Sequence, residues 1–284
     1  MGSFVNSSGV EEMLVEGQHG TEWKIEEVTN PSGAKASRLN GVVCGPIVIC
    51  NAVGDYVNSS GVEVTLAEFS GTEKWTIKKT QNPSGAKASA LSGIACHPIS
   101  VCTAVGHYKN SSGVEVTLAE HRTPEEEWSI QETPNPKEAK ASSLSGVSCN
   151  ENACTATGRY VNSAGTELTL AESWNGKAWS LQETPNPKDA KVSSLSSVSC
   201  ATAEACTAVG SYTHGASITA TLAESWNGKA WSLQEPPNPK EAKASNFTGV
   251  SCTSAEACLA VGSSTSGLGT EILSETWNGK EWKI

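Results

Sequence analysis

Short runs in which apolar and polar residues alternate, each cut off by glycine, proline or asparagine, recur along this 284-residue chain. Alternation of period two places successive side chains on opposite faces of a strand, and no helical period of 3.6 persists across a full window. One complete unit, residues 195–239, predicts four strands that we label a to d. Strand a is Ser197 to Cys200, b is Cys206 to Tyr212, c is Ile218 to Trp226 and d is Trp231 to Glu235. The c–d junction, Asn227-Gly228-Lys229, is a hairpin signal because both turn positions tolerate positive φ. The d–a junction carries Pro236, Pro237 and Pro239, which lack the N–H that a sheet ladder needs. In strand c, Leu222, Glu224 and Trp226 face one way and Thr221, Ala223 and Ser225 the other, so a large face can nest on the small face of a neighbouring unit. The fold class read from this pattern is all-β.

The unit repeats. Trp23, Trp75, Trp128, Trp179, Trp231 and Trp282 recur at spacings of 52, 53, 51, 52 and 51 residues, and residues 169–183 and 221–235 are identical. Four strands in about 52 residues match a β-propeller of four-stranded antiparallel blades. We read a single propeller domain over 1–284, with units at 1–30 (partial), 31–83, 84–136, 137–187, 188–239 and 240–284. Six c–d hairpins stand against five a–b hairpins, so a six-bladed ring with an incomplete first blade is favoured over a five-bladed one. An incomplete blade leaves an edge open to self-association.

The order CTAVGSY, variable loop, LAESWNGKAW and LQEPPNPK resembles the kelch repeat, which implies a propeller without naming a ligand. Only the second glycine of the kelch pair is present, as Gly54, Gly106, Gly158, Gly210 and Gly262. The cysteines are not a kelch feature; in them the chain looks more like the Cys-containing, Trp-Asn-Gly-rich repeats of secreted actinobacterial proteins.

Composition narrows the function classes. The formal charge is −10, which offers no surplus cation to nucleic acid or to an anionic membrane, and no apolar run is long enough to span a bilayer. The ten cysteines fall in pairs on the same repeat: Cys44 with Cys50, Cys96 with Cys102, Cys149 with Cys154, Cys200 with Cys206, and Cys252 with Cys258. Each pair closes a short a–b hairpin, and opposed strand residues lie at a distance that a disulfide accepts. Buried free thiols and metal ligation are the alternatives. Disulfides imply an oxidising compartment, secreted or cell-surface, although no signal peptide precedes Gly2.

Candidate chemistry lies in repeated and unrepeated polar positions. A glutamate recurs in strand c (Glu16, Glu68, Glu120, Glu172, Glu224, Glu275) and a lysine in the linker (Lys35, Lys87, Lys140, Lys191, Lys243), which suggests buried carboxylate–lysine pairs rather than a ring of acids. The tryptophans read first as packing between blades. Trp174, Trp226 and Trp277, beside Asn-Gly turns, are placed to stack on sugars, and we align Gly17, Phe69 and His121 with them in the first three units. The position after the strand b glycine varies and includes Asp55, His107 and Arg159, followed by Tyr56, Tyr108, Tyr160 and Tyr212 and then by Asn58, Asn110 and Asn162. These ten residues are the candidate ligand-binding set. No catalytic, phosphate-binding, metal-ligand or cofactor motif occurs, so we expect no enzyme and no cofactor. The function expected is a non-catalytic extracellular binding propeller, lectin-like, with glycans or a protein as partner. The alternative is a structural or protein-interaction scaffold, natural or built from a consensus repeat, with no small-molecule ligand.

Overall fold

The computed structural model describes residues 1–45, 49–71, 74–125, 127–151, 153–215 and 218–284. Its regular elements are all strands, and the chain divides into two compact units, residues 1–132 and 133–284. In the first unit β1 (Gly2–Val5), β2 (Glu11–Leu14), β3 (Glu16–His19) and β4 (Glu22–Ile25) form the partial N-terminal repeat, strand c being split into β2 and β3. Two four-stranded blades follow: β5 (Ala36–Cys44), β6 (Cys50–Val57), β7 (Glu63–Ser70) and β8 (Trp75–Lys78), then β9 (Ala88–Cys96), β10 (Cys102–Lys109), β11 (Glu115–Arg122) and β12 (Ser129–Gln131). The second unit holds three blades. They are β13 (Ala141–Asn150) to β16 (Trp179–Gln182) through β14 (Ala153–Val161) and β15 (Glu167–Trp174); β17 (Val192–Thr202), β18 (Ala205–His214), β19 (Ile218–Trp226) and β20 (Trp231–Gln234); and β21 (Ala244–Ser254), β22 (Ala257–Ser266), β23 (Gly269–Trp277) and β24 (Trp282–Lys283).

Each blade is an antiparallel meander, and a parallel bridge ties strand c of one blade to strand a of the next, as at Glu167–Val192 and Thr219–Ala244. Strand a is longer than its sequence suggests: β17 begins at Val192, five residues before Ser197, because its buried face there is Ser193 and Leu195, a signal too polar to read as a strand.

The expected nesting of faces is present. The small face of β15 gives Ala171 to a cluster with Leu195, Val198, Ala208, Leu222 and Trp231 of the next blade. Val209 and Ala223 likewise meet Phe247, Ala260, Leu273 and Trp282, and in the first unit Val53 and Ala67 meet Leu91, Ile94, Leu118 and Trp128. Burying these faces supplies the main stabilisation, at roughly 25 cal/mol per Å² of apolar surface. Neighbouring a strands approach closely. A Cβ on Gly146 would stand 3.1 Å from Ser197 Cα, and Ser148 Oγ accepts the Cys200 amide at 3.0 Å, which is why strand a is built of Ser and Gly.

The glycine of strand b has a different cause. A bulge in strand a opposite Gly210, between Leu195 and Ser197, pushes the Ser194 carbonyl to 2.0 Å from where a Cβ would lie. All five cysteine pairs are disulfides with Cα atoms 3.9 to 4.1 Å apart, which removes the free-thiol and metal alternatives. They fit an oxidising environment. No helix among the described residues is long and apolar enough to cross a membrane.

Two expectations need correction. Trp23 is not packing between blades: it is 67% exposed on β4, which among the described residues pairs only with β3. Nor do the linker lysines neutralise the strand c glutamates. Lys191 and Lys243 bond through their amides to Thr213 and Thr265 at the far end of strand b, whereas Glu224 lies opposite Ala208, five residues back and about 16 Å away.

Candidate functional site

Glu68, Glu120, Glu172, Glu224 and Glu275 are fully buried, while Glu16 is exposed. Burial pushes the Glu224 carboxyl up to about 8 and those of Glu68, Glu120 and Glu275 up to about 7. Glu120 receives the Gln81 amide at 3.2 Å. The residues equivalent to Gln81 in the later linkers are Pro185 and Pro237, which carry no N–H to give to Glu224 or Glu275. Burial thus favours the protonated form of Glu68, Glu120, Glu224 and Glu275, and these side chains act as packing elements inside the blades.

Of the residues after the strand b glycine, Asp55, His107 and Arg159 each face a charged partner inside their own blade. Asp55 is buried and accepts from Arg38 Nε at 2.8 Å and Asn40 Nδ2 at 3.0 Å, and Arg38 also pairs with Glu63 at 2.5 Å. Burial pushes the Asp55 carboxyl up against the pull of Arg38 and Asn40. His107 Nε2 lies 4.0 Å from Glu115, and Arg159 pairs with Glu167 at 2.5 Å. The asparagines hold turns. Asn58 Oδ1 accepts the Ser60 and Val62 amides, Asn110 those of Ser112 and Val114, and Asn162 that of Thr166. Tyr56, Tyr108 and Tyr212 pack on the clusters beneath them, whereas Tyr160 lines an open cleft.

Two clefts in the second unit flank the segment Leu181–Thr184. One, of about 540 Å³, is lined by Leu181, Gln182, Glu183, Thr184, Pro185, Trp226, Lys229, Ala230 and Trp231. The other, of about 520 Å³, uses the same four residues with Pro136, Tyr160, Thr169, Leu170 and Asn186.

The sequence dictates their rigidity. Asn227 Oδ1 accepts the Lys229 and Ala230 amides, and Gly228 takes φ +85°, so the c–d turn is fixed beside Trp226. Trp226 is half-buried and lies against Trp231, ring centroids 5.8 Å apart at 40°. The Trp231 indole N–H donates to Gln182 Oε1 at 2.8 Å, across the blade interface. The linker is pinned from below: Asn186 Oδ1 accepts the Thr169 amide at 3.1 Å, and Thr169 Oγ1 bonds Thr184 Oγ1 at 2.9 Å. The aromatic pair recurs as Trp277–Trp282, with Trp282 donating to Gln234 at 2.9 Å.

Register corrects the sequence alignment of this tryptophan. Trp226 stands opposite Cys206 and Trp231, and the residues so placed earlier in the chain are Gln18 opposite Trp23, Ser70 opposite Cys50 and Trp75, and Arg122 opposite Cys102, not Gly17, Phe69 and His121. Gln182, Glu183 and Lys229 escaped the sequence reading, although the identical stretch 169–183 and 221–235 carried the signal.

No protein-family description matches the chain, and no curated protein matches it. Solved structures do. A mutant of AofleA from Arthrobotrys oligospora is 12% identical at a TM-score of 0.53, covering 93% of this chain and 75% of that one. An ulvan lyase, a polysaccharide lyase bound to a GlcA–Rha3S saccharide, is 10% identical at 0.56, covering 92% and 68%. A protein of unknown function from Dyadobacter fermentans is 7% identical at 0.53, covering 91% and 81%. The fold is a β-propeller of four-stranded blades.

The comparison also corrects the expectation that the chain is not an enzyme. A polysaccharide lyase is built on the same fold, so the lack of a familiar catalytic motif does not exclude catalysis.

Proposed function

We propose that the chain binds carbohydrate at the Trp226 cleft, and again at the equivalent place around Trp277. The observation that carries this reading is a partly exposed indole held rigidly over an open cleft with a polar rim. An aromatic face packs on the C–H face of a pyranose, while Glu183, Lys229 and the Gln182 amide meet its hydroxyls. Repetition of the arrangement gives several weak contacts that add on a multivalent surface. The ulvan lyase, with its bound saccharide, lends support from the same fold. Under this reading the protein works in an extracellular setting, which the five disulfides support and with which the kelch-like, secreted-repeat resemblance of its sequence agrees.

Native protein and Trp226→Ala are to be compared on a broad glycan array. Binding by the native protein that falls at least about tenfold in the variant supports the reading. A blank array, or binding indifferent to the substitution, overturns it.

A further inference from the structure

Resting on that reading, we propose that the ligand is an uncharged, linear saccharide bound along its length, crossing the Leu181–Thr184 wall with one sugar against Trp226 and another against Tyr160. The two clefts share Leu181, Gln182, Glu183 and Thr184, so an occupant of one adjoins an occupant of the other across a single stretch of backbone. At about 540 and 520 Å³, each has room for a small ligand fragment. Leu181, 43% exposed, gives the wall an apolar top over which a saccharide can pass. Each side then offers one aromatic ring, Trp226 or Tyr160.

The polar groups fit hydroxyls rather than anions. Gln182 Oε1 is occupied by the Trp231 indole, which leaves the amide NH2 to donate. Glu183 accepts and Lys229 donates. Among the described residues these two are the only charged ones lining the pair of clefts, they cancel, and Glu183 belongs to both. A chain of uronates or sulfates would meet that carboxylate in each cleft, on a protein whose net charge is already −10. The ligand class thus differs from the acidic saccharide held by the ulvan lyase.

The test is calorimetric titration of the folded protein with cello-, xylo-, manno-, laminari- and chito-hexaose, the matching disaccharides, and two acidic probes, hexagalacturonate and a GlcA–Rha3S oligosaccharide. At least one neutral hexaose is expected to bind about tenfold or more tighter than its disaccharide, and the acidic probes more weakly. Tyr160→Phe should keep most of this gain with length, because the ring remains, whereas Tyr160→Ala and Trp226→Ala should each remove most of it. Tighter binding of an acidic probe, equal affinity for hexaose and disaccharide, or no binding by any probe overturns the inference. If Trp226→Ala abolishes binding while Tyr160→Ala is silent, the inference falls and the Trp226 site stands. A blank glycan array removes both.

Discussion

The c–d end of the blade β5–β8 and that of the blade β17–β20 are built on one frame but present opposite surfaces. In β7 the residue opposite the disulfide is Ser70, and the adjacent aromatic, Phe69, has Lys78 Nζ 5.2 Å and Arg122 Cζ 5.6 Å from its ring centroid. Those cations spend the ring's electron-rich face inside the protein. In β19 the same position is Trp226, which packs on the core cluster of its blade and on Trp231 and also lines an open cleft. Beneath both, the disulfide, the strand b glycine, the buried glutamate and the core tryptophan are unchanged. The repeat therefore preserves what joins blade to blade and varies what solvent sees, and under the proposed function it is the second unit whose surface a ligand meets.

The largest effect should come from the shared frame. A Cβ at position 54 would stand 2.0 Å from the Arg38 carbonyl oxygen, and one at position 210 would stand 2.0 Å from that of Ser194. Neither backbone can give way without losing its bulge. Gly54→Ala and Gly210→Ala should each cost on the order of 4 kcal/mol, read as a fall in the denaturant midpoint. A large loss at one site and a small one at the other would break the claim that the two regions share a frame.

The buried glutamates sharpen the comparison through pH. Glu224 is raised from 4.5 to about 8 and Glu68 to about 7, each chiefly by burial, with Lys78 pulling Glu68 back down. A raised folded-state pKa means that the folded chain holds the proton more tightly than the unfolded one. The stabilisation is full below pH 4.5 and is lost as pH rises through 7 to 8. By pH 7 the loss is on the order of 3 kcal/mol for Glu224 and smaller for Glu68. Glu224→Gln keeps the shape without the proton equilibrium, so it should match the native protein at pH 4 and unfold at a higher temperature at pH 8. Glu68→Gln should do the same with a smaller gain. Thermal unfolding of both variants across this range checks the order, and a native protein that gains stability with rising pH would contradict the assignment.

Much of the frame was legible because it repeats: the cysteine pairing follows from period and hairpin length, and Gly210 from its recurrence. What the sequence concealed depends on neighbouring blades. The early start of β17 is hidden by Ser193, buried against another strand rather than by its own hydrophobicity. The glutamate–lysine pairing failed because two residues close in period lie at opposite ends of a blade. The alignment of Trp226 slipped by one residue to Phe69, since an aromatic side chain attracts the eye where only strand register separates it from Ser70. The cleft brings Gln182 and Lys229 together from consecutive units, and no spacing within one unit shows that.

The smallest expected effect concerns stability at the ligand surface itself. If Trp226 served mainly as core, Trp226→Ala would cost as much as removing Trp231, whose indole is 6% exposed and bonds Gln182 across the interface. Trp226 is only partly buried and opposite a disulfide that holds the strand ends without it. Its removal should cost about 1 kcal/mol, against roughly 3 to 5 kcal/mol for Trp231→Ala. Ser70→Ala, the counterpart in the first unit, should be close to neutral. Denaturant titration of the three variants measures this directly. A cost for Trp226→Ala near that of Trp231→Ala would return the indole to the core and erase the difference between the two blade ends. A small cost makes any loss of saccharide binding in the same variant a property of the surface, because the frame beneath it is intact.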